Sequence, residues 1–526
     1  MTQTEPDVTC MAFRNLPPGE LEPDKIHRFV LGEDAEPRVL DAAAAAAELA
    51  DPFATLLLLQ GTFPRTAGEV LTSLDNVVKE DSPLRARMFF LLGEGSQIPF
   101  TPETASVNRN LRFVVATVGD RGPDLLLSSF TPDEGDVELM AWDEVTGGFN
   151  YYRTVGGNSA WVFAGNSRHA LQEPTEGKGP FESHPSGNFL MKELRAPWLH
   201  WHSPDAPITP SVFAENNPLR NHPWFLQLDR LGAVNCEAKA ARPSIVRWTE
   251  ARFDAALANA GTIERPARII HQIVDTPTVN LITSHTEGAT VETTGTIDLP
   301  QTFFIDSEAL TERLGLPAPP TFTVSSNLYA QSLRTFGVTL TDGNGFARPG
   351  DTHFAFAIPE RAFEDQAVLN EAIKRGVLTE RFAACLLMTD FPNPVFSTRR
   401  AQLLRHVPAS ASIVNGASSF SEDMANTIVA AAEGAGAESP EGEFAARWGV
   451  GDAWKEQFGR LLNDYYAAVT SHLGSQEGFD AYFRLAESRR ERVRQMPIFE
   501  SPLLFAETNI DPAVRVMRSD GTVQED

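Results

Sequence analysis

Between residues 111 and 165 the chain breaks into five short apolar runs: RFVVATVGD, DLLLSSF, VELMAWD, FNYYRTVG and AWVFAG. Each is rich in aliphatic or aromatic residues and ends at a Gly, Asp or Pro signal. Segments of that length and punctuation are read as strands. WDEVTGGFNYY carries a tight Thr-Gly-Gly turn between aromatic flanks, the pattern of a hairpin. The stretch is therefore expected to form an antiparallel meander, and this constrains the fold more than any other feature.

Helical patterns surround it. VLDAAAAAAELADPFATLLLLQ (39–60) contains an alanine run of high helix propensity, with Asp51-Pro52 as a break. TAGEVLTSLDNVVKE and SPLRARMFFLLGEG add amphipathic helical patterns to about residue 95, so residues 1–110 read as an N-terminal helical region behind a loose arm. From 166 to about 235 the chain is irregular; together with the meander it makes a second region, 111–235. Residues 236–526 form the third: RPARIIHQIVD reads as helix, and TVETTGTIDL, QTFFID, FTVSSNLYA and FGVTLTDGNG read as β-like. Helices follow in FEDQAVLNEAIKRGVL, ERFAACLLM, EDMANTIVAAAEGAG, AWKEQFGRLLNDYYAAVTSHL and FDAYFRLAESRRERVRQM. AEGAGAESPEGEF (432–444) reads as a linker or surface loop. The expected class is α+β, helix-dominated, with the antiparallel meander near residues 111–165.

Composition narrows the partners. A net charge of -26 repels nucleic-acid phosphates and anionic membrane surfaces, and no basic stripe offsets it. Cys10, Cys236 and Cys385 are scattered without paired spacing, which argues against a disulfide scaffold or a thiolate metal site and for a reducing compartment. The N-terminus has neither a basic segment nor an apolar one, and ATLLLLQG is too short to span a bilayer, so a cytoplasmic location is expected. The expected partner is a small-molecule substrate.

Nucleophile elbows, Walker loops, dinucleotide fingerprints and H-E-x-x-H helices are missing from the sequence. What stands out is residues 161–224, where Trp161, Trp198, Trp201 and Trp224 are half of the eight tryptophans, and four of eleven histidines lie between 184 and 222. Non-repetitive chain of this composition suits loops that carry function, and equally buried crossovers. His200-Trp201-His202, flanked by Pro197 and Pro204, would direct both imidazoles to one side if extended, which suits metal ligation or an aromatic cluster. His184 stands in GKGPFESHPSGNFLMKEL (177–194), between two turn signals. The plainer histidines are His271 in an apolar helical run, expected near the core, and His406 and His472 in helices. ESRRERVRQ (487–495) reads as a solvated helix face.

The runs NSAWVFAGNSRHAL and GKGPFESHPSGNFLMKELRAPWLHW, with DFPNPVFSTRR (390–400), resemble large bacterial cytochrome-c-like proteins. In that family a C-x-x-C-H motif attaches haem, and the histidine ligates iron. Here FESH keeps His184, while Phe181 and Ser183 stand in the frame and the cysteines are gone, so the resemblance implies a degenerate motif without covalent attachment. It implies an oxidoreductase relative, with an unidentified redox partner, that binds haem non-covalently through His184. Met191, His200 or His202 would stand opposite, and Trp161, Phe181 and Trp198 would help to wall the porphyrin. The alternative on the same scaffold is a cofactor-free enzyme or small-molecule binding protein, in which His184, His200, His202, Arg153 and Asn166 do acid/base or anion-holding work, or in which the three histidines bind a metal.

Overall fold

The computed structural model describes residues 21–93, 99–107, 109, 111–119, 121–188, 208–227, 231–258, 261–275, 279–282, 294–341, 347–349, 356, 358–495 and 506–526. It is mixed α+β and divides into two compact units, residues 1–251 with 497–504 and residues 252–496 with 505–526.

The first unit is built on an eight-stranded sheet. Its strands are β1 (Ile26–Arg28), β2 (Arg38–Val39), β3 (Arg87–Leu92), β4 (Arg112–Thr117), β5 (Leu125–Ser129), β6 (Glu138–Asp143), β7 (Gly148–Thr154) and β8 (Trp161–Asn166). The order is β2-β1-β8-β7-β6-β5-β4-β3. Strands β3 to β8 form the meander, each antiparallel to the next, and the Thr-Gly-Gly hairpin joins β6 to β7 with Asp143 opposite Gly148. β1 then adds to β8 in parallel, so the whole sheet is mixed. Two expectations for the N-terminal region change. Residues 26–39 contribute strands, and RMFFLL in the segment expected to be helical is the edge strand β3, preceded by a single turn of 3-10 helix at Pro83–Arg85. A short apolar run fits either period, and here pairing with β4 decides it.

Alternation along the strands gives the sheet two unlike faces. Val115, Leu127, Leu139, Tyr152 and Phe163 lie opposite one another across β4 to β8, and all enter one core. Three helices cover that face: α1 (Ala42–Glu48), α2 (Pro52–Leu56) and α3 (Ala67–Val77). Each starts where a side chain accepts from the first turn. Asp41 caps α1, Asp51 caps α2 ahead of Pro52, and Thr66 caps α3. Phe53, Leu57, Leu74 and Trp161 are fully buried there, each side chain contributing roughly 1.5–3 kcal/mol on leaving water. On the second face the aligned positions are Val114, Ser128, Glu138, Arg153, Val162 and His27. The charged residues of that row, Glu138 and Arg153, sit at its middle.

The second unit has its own core, in which Phe303, Phe304, Tyr329, Phe382, Tyr465 and Phe483 are buried. Its long helices, Phe363–Lys374, Glu380–Met388, Phe420–Ala435, Trp454–Leu473 and Gln476–Arg494, fall where the periodicity places them. QTFFID is a 3-10 turn at Gln301–Phe303, and the loop expected over 432–444 is short because one helix runs to Ala435 and the next begins at Pro440. ESRRERVRQ is not a solvated face. Glu487, Arg489 and Arg490 are buried, with Arg490 paired to Glu487 and Arg489 donating to the carbonyls of Phe303 and Pro392. His271, expected near the core, is exposed while its neighbours Ile270, Gln272 and Ile273 are buried.

DFPNPVFSTRR folds into a closed polar knot. Asp390 and Phe396 adopt φ of 53° and 64°, and Asp390 accepts from Asn393 and from Ser397. Arg400, 2 % exposed, donates to the carbonyls of Val274, Thr389, Asn393 and Pro394. Burial pushes its guanidinium down to about 10. These polar groups are occupied within the knot, which makes the block an architectural element.

Candidate functional site

The irregular segment that follows β8 is held against the second face of the sheet. One turn of 3-10 helix, Gly179–Glu182, is flanked by glycines with positive φ at 177 and 187. At Gly187 glycine is required twice over: φ is 70°, and a Cβ would lie 2.5 Å from the Ser167 carbonyl oxygen. That close approach lets the Ser167 hydroxyl donate to the Gly187 carbonyl at 2.7 Å, while the same hydroxyl oxygen accepts from Phe149 N–H at 2.9 Å. Trp248, on the helix Arg242–Leu257, donates its indole N–H to the Ser186 carbonyl at 2.8 Å. The loop is thereby fastened to both a strand end and a helix.

His184 sits inside these fastenings and is 9 % exposed. Its backbone N–H donates to Pro180 and its carbonyl accepts from Gly187. The ring nitrogen Nδ1 lies 2.7 Å from the Asn188 carbonyl, which also accepts from the Tyr151 hydroxyl at 3.3 Å. A carbonyl only accepts, so Nδ1 carries the proton and Nε2 keeps its lone pair. Burial lowers the imidazole to about 4, outweighing the Asn188 hydrogen bond and the nearby Glu138 carboxylate, both of which raise it. The ring is therefore neutral at pH 7. Its edge meets Tyr151 with centroids 5.2 Å apart, and Phe181 packs edge-on to the same tyrosine at 5.4 Å.

Beside this histidine the charged middle of the sheet face begins. Arg112 and Glu138 pair at 3.2 Å, Arg112 lies over the Phe130 ring, and Glu138 faces Arg153 across β6 and β7. Arg153 is 3.6 Å from Asp136. Arg112 and Arg153 are both buried.

The residues singled out from the sequence are thus distributed unevenly. Phe181 and His184 come together on Tyr151, and Arg153 lies on the same face of the sheet as Tyr151. Asn166 ends β8, where its side chain takes part in a turn with Arg168 and His169. Trp161 is on the opposite face. It packs edge-on to Phe53 at 4.7 Å and donates to the Pro64 carbonyl at 2.8 Å, so the aromatic wall expected from Trp161 with Phe181 is not formed. Strand alternation sends Trp161 and Phe163 to the helix-covered core together. Met191, Trp198, His200 and His202 lie outside the described residues. Tyr151, Arg112, Glu138, Asn188 and Trp248 were not picked out from sequence. Glu138 and Arg153 become partners only through the β6–β7 register, although the hairpin that sets this register was readable.

Two further observations bound the chemistry. Among the described residues, groups of three or more His, Cys, Asp or Glu able to hold a metal ion are absent, and no helix is long and apolar enough to cross a membrane. Cys236 and Cys385 are free and buried, and burial raises both thiols, that of Cys385 to about 12. Neither is a nucleophile at neutral pH. No protein-family model, curated protein or solved structure matches the chain.

Proposed function

We propose that the protein is a relative of the cytochrome-c-like oxidoreductases that binds haem non-covalently, with His184 as the residue that would hold it. The observation that carries this reading is the hydrogen bond from His184 Nδ1 to the Asn188 carbonyl. A buried histidine that donates one ring nitrogen to a backbone carbonyl presents the other as a fixed, unprotonated lone pair, which is how ligating histidines are oriented. Neutrality at pH 7 supports it, because a protonated ring cannot ligate. One imidazole nitrogen is the donor such a group would need from the described residues, and Phe181 and Tyr151 pack beside the ring. The group would supply one-electron redox chemistry once bound. The protein's own part is to hold the ring and keep it unprotonated.

Titration of the purified protein with haemin should give a Soret band at one equivalent, and His184→Ala should abolish it. A protein that takes up no haemin, or a His184→Ala variant that binds it equally well, would end this reading.

A second reading rests on the charged stripe. Arg112, Glu138 and Arg153, on one face of the sheet next to a neutral imidazole, suit a small acidic substrate handled without a cofactor. It predicts that Arg153→Met weakens binding of small dicarboxylates while the haemin spectrum stays flat in the wild type.

A further inference from the structure

On the helix-covered side of the first unit, α3 and the β5–β6 loop border an open cleft of about 540 Å³ whose lining includes Glu69, Asp75, Arg87, Phe89, Asp133 and Trp224. Its lining combines aromatic rings, Phe89 and Trp224, with the carboxylates of Glu69, Asp75 and Asp133. Trp224 is half-buried, and its ring is held edge-on by Phe89 at 5.4 Å and Phe113 at 6.0 Å. His222 fixes one of these carboxylates. Its Nδ1 accepts from the Trp224 N–H at 3.2 Å, so the proton is on Nε2, which donates to Asp133 at 3.1 Å. Asp133 also rests against the start of α3, where the Gly68 N–H donates to the Pro132 carbonyl and a Cβ at position 68 would lie 3.5 Å from the Asp133 carboxylate.

The charges are unequally matched. Asp75 is neutralised by a two-pronged pair with Arg87, at 2.8 and 3.1 Å, and is touched from outside the cleft by Arg85 at 3.8 Å. Among the described residues, Asp133 is met by the histidine and the Glu69 carboxylate by the Arg65 backbone N–H, at 2.6 Å. Two carboxylates that line the same cleft as the indole thus have no arginine or lysine partner among the described residues. An indole face next to acidic groups attracts a desolvated organic cation, and the strong net negative charge of the chain raises the local concentration of such ligands.

We propose that this cleft is a binding site for a small organic cation, an amine or quaternary ammonium group seated against Trp224 and countered by Asp133 and Glu69. The site is independent of His184, which lies on the other face of the sheet.

Calorimetric titration with choline, and in parallel with its neutral isostere 3,3-dimethylbutan-1-ol, tests it. Choline should bind roughly tenfold more tightly than the isostere. Asp133→Asn and Glu69→Gln should each weaken choline binding by about fivefold and leave the isostere unchanged. Trp224→Phe should keep part of the preference, whereas Trp224→Ala should lose it; circular dichroism identifies a variant that has unfolded, and the two exposed carboxylate variants then decide. Equal affinity for choline and the isostere, no binding of choline, or full choline affinity in the Asp133→Asn/Glu69→Gln double variant would overturn the proposal. So would tight Ca²⁺ binding that displaces choline without any effect of Trp224→Phe.

Discussion

Two buried groups in the first unit respond to acid in opposite directions. Asp51 accepts from Ala54 N–H, from Asn150 and from the Tyr152 hydroxyl, and burial still raises its carboxyl to about 6. The folded state therefore takes up this proton more readily than the unfolded chain does. The stability it contributes is present in full below the ordinary aspartate range and is lost as pH rises through 6. His184 is lowered to about 4, so its contribution is present above the ordinary histidine range and is lost as pH falls through 4. We expect Asp51→Asn to remove a stabilisation on going from pH 7 to pH 4.5 that the wild type retains, on the order of 2 kcal/mol. His184→Gln should instead remove an acid-induced loss of similar size. Urea midpoints of wild type and both variants at the two pH values check the pair, and shifts of the same sign in both variants would contradict the assignment.

At the level of elements, the turn that ends at Gly187 is the most demanding piece of local geometry near the site. Gly187→Ala would force a Cβ towards the Ser167 carbonyl at a positive φ, with an expected cost of at least about 2 kcal/mol. Urea denaturation should show that loss, and haemin affinity should fall with it, because the same turn holds His184. The histidine itself was legible from its glycine-bracketed segment, as were five strands and their hairpin, because alternating apolar runs and turn residues state both at short range. β3 was not legible: RMFFLL has no alternation that excludes a helix, and its partner lies across an intervening loop. The side taken by Trp161 is not legible, because proximity in sequence to Phe181 says nothing about which face of a strand a side chain takes. ESRRERVRQ was read as solvated because a buried arginine needs carbonyl partners, here from Phe303 and Pro392, that no local pattern announces.

For the molecule as a whole, two units with separate cores imply separable cooperativity. Calorimetric unfolding should give a ratio of calorimetric to van't Hoff enthalpy above one. Arg400→Ala should lower only the transition of the second unit, by roughly 3 kcal/mol, because it strands the four carbonyls that the guanidinium satisfies. A single two-state transition displaced as one by this variant would contradict the separation. In the first unit, meanwhile, β1 is the partner of β8, with Ile26 beside Trp161. On a translating ribosome β1 emerges long before β8, and with β2 on its one side it must wait, open on the other, until the last strand of the meander has cleared the exit tunnel. Completion of this sheet is therefore timed by chain elongation. A pause in synthesis before residue 161 would leave β1 and β2 available to the wrong neighbours.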